Sequence, residues 1–167
     1  MKTILISLLL FGLQAMAQDM KSSATHKDHD ANVQKHGDMA MGFGHDKTTH
    51  HFRLYSDGGA IEVTANDSKD DASIKAIRSH LSHISKAFSD GDFSTPMFIH
   101  DQPPPGVDAM KKERNLISYS LEEIPTGGRV RIKTKSGDTL KAVHQFLRFQ
   151  IEEHKTGDSA EVSSSLR

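Results

Sequence analysis

The sequence predicts an α+β fold, a two-layer sandwich in which a four-stranded, mainly antiparallel sheet carries two helices on one face. Three observations point there. Apolar and polar residues alternate through Ala60-Ile61-Glu62-Val63-Thr64 and again through Arg129-Val130-Arg131-Ile132-Lys133, the period of a half-buried strand. Ile74, Ile77, Leu81, Ile84 and Phe88 recur every three or four positions, the stripe of an amphipathic helix. The chain also echoes itself. Gly58-Gly59-Ala60-Ile61-Glu62-Val63-Thr64 matches Gly127-Gly128-Arg129-Val130-Arg131-Ile132-Lys133. Ile74-Lys75-Ala76-Ile77 with Leu81 matches Leu140-Lys141-Ala142-Val143 with Leu147. The simplest account is a duplicated strand-strand-helix unit.

In chain order, residues 1–17 read as a cleavable signal peptide. Lys2 supplies the positive start and Ile4 to Leu13 an apolar stretch broken only by Ser7 and Gly12. Ala15-Met16-Ala17 puts small residues at the cleavage positions. An apolar stretch of about ten residues is half of what a membrane span needs, so no membrane anchor is expected after cleavage. Without cysteine there is no lipoprotein anchor. The short n-region leans toward a bacterial periplasm, and the expected location is periplasmic or extracellular.

Residues 18–47 read as a disordered arm. They hold almost no large apolar side chains to offset the entropy of ordering. The domain is expected over 48–156, in halves of about 48–92 and 115–156. His51 to Tyr55 and Ala60 to Ala65 are strands about a Ser56-Asp57-Gly58-Gly59 turn. Asp71 or Ser73 caps a helix to about Phe88. Phe93 to Gly106 is a long connection, and Val107 to Arg114 a short helix. Leu116 to Glu122 and Arg129 to Thr134 are strands about Pro125-Thr126-Gly127-Gly128, and a second helix runs from Ser136 to about His154. Residues 157–167 are expected to be a flexible tail.

Composition narrows the function. Removing the signal leaves about 150 residues, one domain with an arm and a tail. The net charge of −1 offers no basic excess for nucleic acid. With no cysteine, export does not serve disulfide formation. No Gly-Lys-Ser/Thr phosphate loop, HExxH helix or Gly-x-Ser-x-Gly elbow occurs.

Histidine stands out, with eleven in the chain and none in the signal. The arm carries His26, His29, His36, Met39, Met41 and His45. Imidazole and thioether suit copper, and neutral imidazole also suits zinc. In the domain, His80 and His83 at i, i+3 share a helix face. His50 and His51 point to opposite faces of their strand, and His51 is taken as the candidate ligand. His144 and His154 lie on the stripe of the second helix and read as ordinary core or boundary histidines. Phe146 and Phe149 occupy the places that His80 and His83 hold in the first helix. Phe149 points away from the sheet, so that flank is a candidate surface for a protein partner or a second copy.

The motifs Met41-Gly42-Phe43, Thr48-Thr49-His50-His51-Phe52, Gly58-Gly59-Ala60-Ile61, His80-Leu81, Gly91-Asp92-Phe93, Pro104-Pro105-Gly106-Val107 and the run Val143 to Ile151 give the chain after residue 40 a likeness. It resembles an uncharacterised family of small exported bacterial proteins. That resemblance implies an exported single domain and brings no activity or site residue.

The leading functional expectation is a periplasmic or secreted metal-binding protein, for copper or another soft or borderline ion. The alternative is an exported binding module without metal, for a protein partner or small apolar ligand. A third is a small hydrolase-like enzyme, which needs two or three of His80, His83, His100, Asp101 and His144 to converge.

Overall fold

The computed structural model describes residues 28–29, 31–42 and 44–164. The expected signal peptide (1–17), the arm residues 18–27 with His26, and the tail residues 165–167 lie outside the described residues. Along the chain run helix α1 (31–41), β1 (Thr48–Tyr55), β2 (Gly58–Ala65), α2 (Asp71–Ser89), α3 (Ser94–His100), α4 (Val107–Lys112), β3 (Ile117–Ile124), β4 (Gly127–Thr134) and α5 (Gly137–Glu153).

The sheet has the order β1-β2-β4-β3, with every neighbouring pair antiparallel. Each half is a hairpin with a two-residue turn followed by a long helix, so the α+β sandwich read from the sequence is the architecture of the chain. The inner strands β2 and β4 meet at two glycines. A Cβ on Gly58 would overlap the Ile132 carbonyl oxygen, and one on Gly127 would overlap that of Val63. These two positions match in the two hairpins, and only glycine fits either.

Both long helices begin on side-chain caps. Asp70 accepts from the Ser73 N–H at 3.0 Å, and Ser136 from the Thr139 N–H at 3.4 Å. Helix α2 buries its expected stripe, Ile74, Ile77, Leu81, Ile84 and Phe88; α5 buries Leu147 and Ile151 as expected, leaves Leu140 half-buried, and adds Val143 and Phe146, the latter expected off the stripe. The packing is crossed. Helix α2 lies chiefly over β4 and β3, and α5 over β1 and β2, so each helix covers the other half's hairpin. Phe52, Leu54, Ile61, Val63, Val130 and Ile132 meet them from the sheet.

Three segments differ from the sequence reading. Residues 31–41, expected to be unstructured, form α1. Its single buried large apolar side chain is Val33, and polar contacts do the rest of the docking. His29 Nε2 meets Glu153 Oε2 at 2.6 Å, and the His36 ring stacks on Phe98 at 4.7 Å. Phe93 to Gly106 is not an open loop. Asp92 accepts from the Ser94 N–H at 2.8 Å and starts α3, with Pro96 in the first turn, where its missing N–H costs nothing. Phe93, Ile99 and His100 are buried beneath it. The tail is ordered from 157 to 164. Strand β1 is an edge strand whose outward groups need partners. Asp158 accepts from the Phe52 N–H at 2.9 Å, and Ser163 pairs with Tyr55 in parallel.

The flank expected to offer Phe146 and Phe149 is not an open apolar patch. Phe146 is buried in the core, and Phe149 lies under the edge of the His100 ring, with centroids 4.9 Å apart.

Candidate functional site

The crossed packing creates two corners where a helix end meets the opposite hairpin. Matching positions follow from the element starts. His50 lies five residues before the end of β1, as Tyr119 does in β3. His80 and Phe146 each stand ten residues beyond their N-caps, Asp70 and Ser136. Phe88 and His154 each stand eighteen beyond.

One corner is a packed aromatic cluster. Phe88 stacks on Phe93 at 4.3 Å and meets Tyr119 and Phe146 edge-on at 5.8 and 5.9 Å. Such pairs add to plain burial. The other corner holds His154, His50 and His80 at the places of Phe88, Tyr119 and Phe146. The His154 ring lies parallel to His50 at 6.1 Å, tilted on Phe52 at 5.5 Å and edge-on to His100 at 5.0 Å. A pocket of about 70 Å³ reaches both corners: His50, His80, His154, Met41 and Gln150 line it together with Phe88, Phe146 and other apolar core residues.

Helix α1 closes this corner with Met41. The His50 Nε2–H donates to the Met41 thioether at 3.2 Å. Wider surface grooves flank Met41. One, of about 300 Å³, includes His45, His50 and His154; the other, of about 340 Å³, includes His80 and His83.

Burial holds these imidazoles neutral. It brings His50 down to about 4, with nearby His80 and His51 adding to the shift. His80 is lowered to about 4 by burial and then by His83. His154 falls to about 3 by burial, then by His100 and His50. At neutral pH each is an uncharged imidazole, the protonation state that metal binding requires.

The other candidates lie elsewhere. His29 is engaged with Glu153. His36 lies on Phe98 with Asp101 at 3.7 Å, and Met39 is 66% exposed. His45 caps a turn by meeting Asp38 at 2.9 Å, and His83 is exposed on α2. His51 points away from the helices and meets Asp158 at 2.9 Å. Of the nine residues singled out as ligands, the corner gathers Met41 and His80. It adds His50 and His154, which sequence reasoning passed over. The internal match was the available signal, because it aligns His154 with the core residue Phe88. His144 matches its ordinary reading: buried, with the Tyr55 and Gly58 carbonyls both at 2.9 Å from Nε2.

Among the described residues no three His, Asp or Glu side chains are grouped to hold an ion as they stand, and no helix is long and apolar enough to cross a membrane. A scan of family models and searches of curated proteins and of solved structures found no match.

Proposed function

We propose that the protein is an exported metal-binding protein that holds copper(I), before other soft or borderline ions, in the histidine corner. The observation that carries this reading is the replacement of one corner's aromatic side chains by imidazoles at three matching positions, beside a thioether. Core packing gives no reason for that exchange, because an imidazole is smaller than a phenyl ring and costs more to desolvate. Ligand chemistry does, since neutral imidazole and thioether favour a soft ion.

Met41 Sδ and His50 Nε2 stand 3.2 Å apart, near the ~3.4 Å between two ligands of one tetrahedral ion. Binding requires the proton on His50 to move to Nδ1, and a rotation of His80 or His154 to complete the set. The signal-like residues 1–17 are consistent with a compartment where such ions are met outside cytosolic control.

The test is an anaerobic Cu(I) titration against a competing chelator. One equivalent is expected, with Met41→Leu and His50→Gln each weakening it by about tenfold or more. An affinity no greater than that of a scrambled peptide with the composition of residues 18–47 would sink the reading.

A further inference from the structure

We infer that a second metal site, for a borderline divalent ion of the zinc(II) class, is built where α1 meets α3 and α5, from His29 Nε2, His100 Nδ1 and Glu153 Oε2. It shares no ligand with the histidine corner.

His100 is the last residue of α3. Its side chain is fully buried. Its Nε2 is 3.1 Å from Gln150 Oε1. When that oxygen accepts, the ring proton is on Nε2 and the Nδ1 lone pair is bare. Nδ1 makes no hydrogen bond among the described residues. What it faces is Glu153 Oε2, at 3.6 Å. A bare nitrogen lone pair opposite a carboxylate, inside protein, is repulsive unless a cation or a proton lies between them. The same oxygen is 2.6 Å from His29 Nε2. One carboxylate oxygen therefore lies within reach of two imidazole nitrogens; the three are not grouped to hold an ion as they stand, and His29 and Glu153 must move to complete the set.

The spacing suits an ion better than the present contacts do. Ligands ~2.0–2.1 Å from a tetrahedral zinc stand roughly 3.4 Å from one another. The His100–Glu153 separation is already close to that value. The His29–Glu153 contact is shorter, and opening it by under ~1 Å is within the reach of Glu153 side-chain torsions. The surroundings match a ligating histidine. Gln150 binds the far ring nitrogen and fixes its tautomer, and Phe149 and His154 pack on the ring at 4.9 and 5.0 Å. The His29 side chain is 43% exposed, so an ion can enter and water can fill the fourth position. Without an ion, a half-turn of the Gln150 amide resolves the orphaned lone pair. Its Nε2, also buried and without a partner, would donate to His100 Nε2 and let Nδ1–H face Glu153. The cluster then has one proton arrangement for the empty state and another for the loaded one.

The experiment is a Co(II) and Zn(II) titration of the full chain, as processed by the cell that expresses it. Visible Co(II) bands and long-range imidazole nitrogen spectra are read alongside. Zn(II) is expected to shift the His100 Nδ1 resonance and leave Nε2 protonated. Glu153→Gln and His29→Gln, neither of them buried in the core, should each weaken binding by about tenfold or more and abolish the Co(II) bands. Met41→Leu should leave both unchanged while reducing Cu(I) affinity, which separates failure here from failure at the corner. Circular dichroism confirms that the variants fold. No Zn(II) binding by the folded wild-type chain, or unchanged affinity in either Glu153→Gln or His29→Gln, overturns the proposal.

Discussion

In one corner Phe88 lies against Phe93, Tyr119 and Phe146; in the other the matching places hold His154, His50 and His80, and one small pocket touches both. The backbones are alike, since both corners form where a helix end meets the opposite hairpin. The interiors differ in what they do with burial. In the aromatic corner burial is spent on ring contacts, and even there the Tyr119 hydroxyl has no hydrogen-bond partner among the described residues. In the histidine corner burial keeps three bases unprotonated, beside a pocket that Phe88 and Phe146 also line. Two positions with the same fold can thus serve stability in one corner and keep imidazoles uncharged in the other.

The widest separation between the corners is expected on acidification. The three imidazoles have folded values of about 4, 4 and 3, below the ordinary 6.5. The unfolded chain therefore binds more protons between pH 6.5 and about 4. Stability is complete above pH 6.5 and falls with pH through that window. The slope is up to about 1.4 kcal/mol per pH unit for each imidazole, less where water reaches the ring. Thermal melts at pH 7, 5.5 and 4.5 measure it. A variant carrying His50→Tyr, His80→Phe and His154→Phe should lose this acid sensitivity.

Next in size is truncation of the packed corner. Phe88→Ala should cost about 3–5 kcal/mol in urea unfolding. His154→Ala, at the matching place, should cost far less, because that polar ring is only half-buried. Equal losses would break the comparison.

A smaller gain is expected from converting one corner into the other. His154→Phe should raise stability by about 1 kcal/mol, since an apolar ring replaces a half-buried polar one, and it should lower Cu(I) affinity in the same preparation. The smallest effect belongs to His83→Ala. That exposed side chain matches the covered Phe149, and its loss should stay within about 0.5 kcal/mol and leave Cu(I) binding intact.

Much of this layout was legible in the sequence. The strand over Arg129 to Thr134 and the helix from Asp71 to about Phe88 end within two residues of β4 and α2, because alternation, stripes and caps are local signals. The register match also pairs Gly58 with Gly127. What stayed hidden depends on contacts between distant segments. Helix α1 has one apolar anchor, Val33, and its docking partners Glu153 and Phe98 lie far along the chain. The tail has no strand pattern; the need to cover the β1 edge orders it. For His50 and His51, alternation says that they part company but not which faces the helices. Phe52 and Leu54 resolve that, because His50 shares their face. His154 read as a boundary histidine on its own helix, and its role depends on His50 lying across from it on another element.

Because α2 covers the second hairpin and α5 the first, neither half owns a complete apolar layer. Cutting the chain between them would leave each hairpin bare and each helix without a floor. The molecule should therefore melt as one unit, with the fluorescence of Tyr55 and Tyr119 and far-ultraviolet circular dichroism tracing the same curve, although its sequence reads as two.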